Sequence, residues 1–291
     1  MCHSERSEEC LITNYALHIT HCHGGVFLEF GISTACFYPE DLLMVASNLA
    51  KYDIRCTEIF ANTFSELTET TAKKITDIFS PKGIVVTSVH PFTSGYEHIL
   101  LFSDYYQRFK DSIEFYKNYF HFANYVGAKI VVLHGDKRFA DSGGISDEEY
   151  FERYHELYQT AKTMGIMVGQ ENVNAFRSQN PSFIRKMREY LGDEVAFVFD
   201  IKQAVRSGYS PYEMCEAMGD RIVHLHINDN TPQQDCMLPS YGEMDYRKIL
   251  TQMRQQHFQG RAVIEVYHRH FRNIEEIVQS YHYLAENFGD L

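Results

Sequence analysis

A chain of 291 residues can bury one large core or two small ones. With 44% hydrophobic and 23% charged residues it has an ordinary globular composition, and no apolar run approaches the roughly 18 residues that a membrane span needs. The net charge of −12, with no Lys/Arg-rich block, argues against nucleic acid or an anionic membrane as a partner, because both are bound through basic patches.

The first 25 residues differ from the rest. MCHSERSEEC is polar and aperiodic, and HITHCHGG crowds three His and one Cys together. This stretch reads as a disordered extension, in which His21, Cys22 and His23 form only a weak metal-binding pattern. It lacks the basic start, apolar segment and cleavage site of a secretory signal. Seven cysteines with neither a CxxC pair nor regular spacing read as reduced thiols, which fits a cytoplasmic protein.

From residue 26 to 291 short apolar runs alternate with long amphipathic ones. The predicted strands are 28–35, 54–61, 84–90, 129–134, 166–172, 195–201, 221–228 and 261–267. The predicted helices are 40–52, 65–79, 102–126, 148–164, 181–190, 211–218, 246–257 and 274–288. Eight such units, with no low-complexity linker between them, predict an α/β fold in one domain, a closed (β/α)8 TIM barrel. An open doubly wound sheet is the competitor, but no GxGxxG turn follows the first strand. The helix over 102–126 is rich in aromatic residues, among them Phe109, Tyr116, Tyr119 and Phe120. These fit a core face plus a lid over the barrel mouth, and a homo-oligomer interface is the second reading.

Four successive predicted strands are apolar until their last residues and then deliver Glu171, Asp200, His226 and Glu265. A charge at the end of a buried strand is costly unless something compensates it. In a (β/α)8 barrel these strand ends meet on the face that carries catalytic residues. Three carboxylates and one imidazole form a mostly oxygen donor set, which favours one Mn²⁺ or Mg²⁺, with Co²⁺ or Zn²⁺ also able to bind. His224 lies two residues before His226 on the same side of its strand and one layer deeper.

Several runs in order along residues 28–288 resemble the xylose-isomerase-like TIM-barrel superfamily of sugar phosphate isomerases and epimerases, which also includes endonuclease IV. They are SVHPF (88–92), VVLHG (131–135), QEN (170–172), FDIKQA (199–204), SGY (207–209), VHLHIND (223–229), LPSYGEMD (238–245) and IEV (264–266). The resemblance implies one divalent metal held by Glu171, Asp200, His226 and Glu265. It also implies an isomerase or epimerase in which Glu171 and Glu265 move a proton next to a carbonyl through an enediolate. A small sugar or sugar phosphate is the implied partner. The same shell would serve a dehydratase acting on a cyclic polyol, an endonuclease IV-like phosphodiesterase, or a sugar-binding barrel without catalysis.

Two departures mark this chain. Gln203 stands where many members carry a His three residues after the metal-binding Asp, and Pro232 stands where epimerases place an Arg. A third, smaller one is Ser240, in place of the family's usual Gly. Further candidates for substrate contact are His90 and His134 at strand ends, for which a structural hydrogen-bonding role is equally open, and Glu58, Lys202, Gln203 and Asp229. Lys202 could neutralise the site or hold a phosphate, and strand alternation would turn it outward. Lys137 and Arg138 are the alternative phosphate contacts, and Asp229 and Asn230 could instead orient the imidazole of His226.

Overall fold

The computed structural model describes residues 28–137 and 144–291. The predicted N-terminal extension, with His21, Cys22 and His23, and the candidate Arg138 lie outside those residues.

Eight parallel strands close into a barrel. The first seven are β1 (Phe30–Ser33), β2 (Cys56–Phe60), β3 (Val85–His90), β4 (Ile130–Leu133), β5 (Met167–Glu171), β6 (Ala196–Asp200) and β7 (Ile222–Ile227). A short antiparallel hairpin of β8 (Asp229–Thr231) and β9 (Gln234–Met237) follows, and β10 (Arg261–Ile264) completes the barrel. Around the barrel the order is β1-β10-β7-β6-β5-β4-β3-β2. Every predicted barrel strand is present, each trimmed at its ends, and together they make one TIM-barrel domain. The sequence reading missed the hairpin, whose strands are too short and polar to show a period of two.

The helices are α1 (Leu42–Leu49), α2 (Glu69–Phe79), α3 (Tyr106–Val126), α4 (Asp147–Thr163), α5 (Pro181–Leu191), α6 (Ile201–Arg206), α7 (Pro211–Met218), α8 (Tyr246–Gln255) and α9 (Ile274–Phe288). Their starts are written in the sequence. Asp41, Thr68, Ser146, Asn180, Asp245 and Asn273 each cap a helix by accepting a backbone N–H, which satisfies a donor that the first turn leaves free. None of the described helices is long and apolar enough to cross a membrane.

Two bulges set which side chains face the barrel interior. Thr57 pairs with Val86 but Glu58 with Ser88, so β3 carries one extra residue; likewise Phe197 pairs with Ile222 but Val198 with His224. Each extra residue re-aims the side chains beyond it. Past the bulges Glu58, Ser88, His224 and His226 converge and are wholly buried.

The aromatic residues of α3 correct the lid expectation. Phe109, Tyr116, Tyr119, Phe120 and Phe122 are buried, while Tyr105 and Tyr106 at the N-terminal end and Tyr125 at the C-terminal end are exposed. The tyrosines are tied to the loop after β3. Tyr116 donates to the buried carboxylate of Glu97 at 2.6 Å, and the Tyr119 hydroxyl lies 3.1 Å from Thr93 Oγ1. The other oxygen of Glu97 accepts the backbone N–H of Gly135. Gly135 has φ +91°, and a Cβ there would meet the Tyr150 hydroxyl at 2.1 Å, so only glycine suits this turn after His134.

Burial pushes the Glu97 carboxyl up to about 8, from an ordinary value of 4.5. Its proton is therefore bound more tightly in the folded chain than in the unfolded one. The resulting stabilisation is complete below pH 4.5 and is lost as pH rises through 8, at up to about 1.4 kcal/mol per pH unit. In Glu97→Gln the amide can donate to Tyr116 while its oxygen accepts from Gly135, as the protonated acid does. Denaturant unfolding at several values between pH 5 and 8 should show the wild type losing more stability than Glu97→Gln; parallel curves would contradict a raised Glu97 pKa.

Candidate metal centre

Glu171 and Asp200 are the last residues of β5 and β6, His226 is the penultimate residue of β7, and Glu265 follows β10 directly. The backbone N–H of Glu265 still bonds to Ile227 O, so the barrel pairing holds it in line. His226 Nδ1 lies 3.4 Å from Glu171 Oε1, 3.8 Å from Asp200 Oδ2 and 3.4 Å from Glu265 Oε2. One donor atom from each of the four lies within 4.8 Å of the others. The four residues predicted from the strand ends are therefore brought together.

Two observations show that this cluster fits a divalent cation. His226 Nδ1 is buried, points into the cluster and has no hydrogen-bond partner, a state that buried polar groups rarely tolerate. The donors are three carboxylates and one imidazole, a set that suits Mg²⁺ or Mn²⁺. Burial opposes a positive charge on His226, but the carboxylates of Glu58, Glu265, Asp200 and Glu171 hold its pKa well above the usual histidine range. The surroundings favour a cation at this point.

Behind His226 stands Glu58. Its Oε2 lies 3.1 Å from His226 Nε2 and accepts from Ser88 Oγ at 2.8 Å, while Oε1 accepts from Ser33 Oγ at 2.9 Å. In the neutral ring that a metal would bind, an Nε2–H directed at Glu58 would leave the Nδ1 lone pair facing the cluster, the tautomer a metal needs. The expectation that Glu58 touches a sugar hydroxyl is thus corrected: both oxygens are used inside the barrel and none of the residue is exposed.

Asp229 is also corrected. Its Oδ1 accepts the N–H groups of Asn230 and Met244, and its Oδ2 those of Ser240 and Gly242. With four backbone bonds it shapes the loop 238–244 and has no oxygen left for substrate or for an imidazole. Gly242 passes so close that a Cβ would meet Asp229 Oδ1 at 2.4 Å, and Ser240 sits at φ +81°. That left-handed conformation favours glycine, the residue that the sequence resemblance leads one to expect at this place.

Lys202 differs from its expectation in direction. Strand alternation would turn it outward, but α6 begins at Ile201, immediately after the strand, and the helical turn brings Lys202 back over the site. Its Nζ lies 2.8 Å from Asp200 Oδ2 and 2.6 Å from Glu265 Oε2. Burial opposes its charge, yet Asp200 and Glu265 hold its pKa well above the usual lysine range. Of the two roles read from sequence, it neutralises the site and does not offer itself to a phosphate. The short helix also makes Asp200 an N-cap: Oδ1 accepts from Gln203 N and from Asn228 Nδ2, both at 3.1 Å. Gln203 Oε1 accepts from Asn174 N, which ties the loops after β5 and β6 together.

His90 and His134 form the remaining wall. His134 Nε2 lies 2.9 Å from Glu171 Oε2 and 3.1 Å from His90 Nε2, and His90 Nε2 is 3.7 Å from the same carboxylate oxygen. Glu171 is therefore shared between the four-residue cluster and this pair. Among these side chains His134 and Glu265 keep the most exposure, 18% and 13%, so solvent reaches the site between them. The sequence reading missed two asparagines. Asn172 grips Asp200 through both its N–H and its C=O, and Asn228 holds the Asp200 side chain. Their only sequence signal is an amide beside an acidic residue at a strand end.

This arrangement can be set beside known proteins. Residues 46–287 match the family described as "Xylose isomerase-like TIM barrel". The chain belongs to that family. A curated relative, an uncharacterized protein of Methanocaldococcus jannaschii, is 23% identical over 271 residues, covering 89% of each chain. Among solved structures, the fold is similar to that of a D-tagatose 3-epimerase-like protein, with a TM-score of 0.73 and 21% identity over 89% of this chain and 96% of that one. It is also similar to a xylose isomerase-like TIM barrel protein of Mycobacterium smegmatis in complex with magnesium, with a TM-score of 0.66 and 15% identity over 89% of this chain and 96% of that one.

The buried partner of His226 gives a direct test. Glu58→Gln should retain the barrel by circular dichroism but weaken Mn²⁺ binding by about 10- to 100-fold, as the loss of an orienting carboxylate does elsewhere. Unchanged Mn²⁺ affinity in a titration would remove Glu58 from that role.

Proposed function

We propose that the protein is a divalent-metal-dependent sugar isomerase or epimerase that moves a proton on the carbon next to a carbonyl. The observation that carries this reading is the buried, unpartnered His226 Nδ1, facing Glu171, Asp200 and Glu265 across one small space. Glu171, Asp200, His226 and Glu265 would hold the cation. When bound, a divalent cation supplies Lewis-acid polarisation of a carbonyl and its neighbouring hydroxyl.

The chain's own residues supply the rest. Glu171 and Glu265 come from β5 and from the end of β10, on opposite parts of the barrel wall, so a substrate seated between them presents one face to each carboxylate. One removes the proton as general base and the other returns it as general acid. In this reading His134 and His90, beside Glu171, would hold substrate oxygens by hydrogen bonds. Phe60 packs against His90 and Phe176 against His134, with ring centroids 5.4 and 5.7 Å apart. Tyr267 lies over Lys202. These rings give apolar walls for the C–H faces of a sugar and limit the entry of water.

The cations around the mouth favour an uncharged sugar or polyol-derived ketone over a phosphate ester. Lys202 pairs with Asp200 and Glu265, Arg206 with Asp235, and Arg177 with Asp136 and Asp147. The acidic overall charge also disfavours a nucleic-acid substrate. The similarity to a D-tagatose 3-epimerase-like protein supports a ketose as the first class to try.

In D₂O, the Mn²⁺-loaded protein should place solvent deuterium on the carbon next to the carbonyl of at least one member of a ketose panel, read by NMR. Glu171→Gln and Glu265→Gln should each lower that exchange by about 10²- to 10⁴-fold. A wild-type protein that binds Mn²⁺ yet exchanges no proton of any sugar, or variants that exchange as fast as wild type, would end the isomerase reading.

A further inference from the structure

Lys202 has a position that the proton-transfer scheme does not require. Its ammonium bridges two of the four proposed cation ligands, at 2.8 Å from Asp200 Oδ2 and 2.6 Å from Glu265 Oε2, with Glu265 O a further 0.8 Å out at 3.4 Å. Only 3% of its side chain is exposed. The Tyr267 ring covers its outer side with the centroid 5.5 Å away, and Arg206 sits over the same ring. The ammonium therefore has no water shell to retreat into. It faces the carboxylates that an incoming cation would also need.

We infer that Lys202 is a resident cation that competes with the divalent metal for Asp200 and Glu265, and so keeps that metal weakly held and exchangeable. The inference rests on the metal reading of this cluster but not on the reaction proposed for it. Three carboxylates cannot lie this close in a buried site without positive charge nearby. In the metal-free protein Lys202 supplies part of that charge, so the shell stays assembled while empty. When a divalent ion enters, it meets a like charge within a few ångströms, where Coulomb repulsion is strong in a partly buried setting. Both effects act in one direction. Removing the ammonium raises the energy of the empty shell and lowers that of the filled one, so metal affinity must rise.

The sequence context explains why the ammonium reaches this place. Ile201, Lys202 and Gln203 form the first turn of α6, and Asp200 caps that helix with Oδ1 while Oδ2 is left to the site. Lys202 is thereby clamped to the same carboxylate whose second oxygen fixes its helix. An ordinary lysine on a strand end would have no such restraint.

The test is a Mn²⁺ titration of the whole chain, with free Mn²⁺ read by electron paramagnetic resonance, on wild type, Lys202→Met and Lys202→Arg. Lys202→Met should bind Mn²⁺ at least tenfold more tightly than wild type, while Lys202→Arg, which keeps the charge, stays within about threefold of it. In thermal melts Lys202→Met should be less stable than wild type without metal and gain more on adding Mn²⁺. Binding by Lys202→Met alone, with wild type too weak to titrate, would support the inference in its strongest form. Equal or weaker affinity in Lys202→Met overturns it and leaves the metal reading standing; absence of binding in all three proteins overturns the metal reading itself. If Lys202→Met folds only in the presence of Mn²⁺, the ion has replaced the ammonium as proposed. If it folds under neither condition while Lys202→Arg folds under both, Lys202 is a structural ion-pair residue and the inference fails.

Discussion

Everything at the mouth of this barrel follows from placing negative charge where water cannot reach it. Glu58, Glu171 and Asp200 are almost wholly buried, and Glu265 is nearly so. Carboxylates packed this closely repel one another and forgo hydration, and the protein meets that cost in layers. Glu58 is satisfied by two serines and His226. Asp200 has a helix N-terminus and Asn228 on one oxygen. Lys202 spans Asp200 and Glu265. What is left over is His226 Nδ1, a buried nitrogen without a partner among three carboxylates, and at that point the donor set fits a cation.

The barrel makes such an arrangement feasible because no strand contributes more than three polar residues. The apolar body of every strand is held by the hydrophobic core, and the bulges on β3 and β7 adjust the phase so that the last residues face inward. Stability and chemistry are thereby separated along each strand. The lower residues pack, while the terminal residues carry charge that their neighbours in the ring must balance. Ser33 and Ser88 on Glu58, and Asn228 on Asp200, do part of this balancing without adding charge.

The fold was legible in sequence because eight strand-helix alternations leave a strong hydrophobic pattern, and the cation shell because the same departure from that pattern recurs at four strand ends. Roles that depend on one residue of offset were not legible. Lys202 was expected to face out because the strand was extended past Asp200, whereas a six-residue helix, too short to show a period, begins at once. Glu58 and Asp229 were both read as open to substrate because one ends its strand and the other follows its strand in the loop. Burial decided otherwise, and burial of a carboxylate is invisible until the serines and backbone N–H groups that surround it are known. Asn172 and Asn228 escaped notice for the same reason: an amide gives no sign in sequence of what it grips.

The bond between Glu97 and the backbone of Gly135 has a wider meaning. It links Tyr116, on a helix of the outer layer, to the turn that carries His134, and His134 rests against Glu171. The outer layer is thus mechanically continuous with a carboxylate at the centre of the site. The aromatic packing of α3 acts as a foundation, and the angle at which one wall of the mouth stands depends on how firmly that foundation is set. A change of shape among buried tyrosines that never approach a ligand would be felt as a tilt of the imidazole, so the residues that tune this site extend well beyond those that line it.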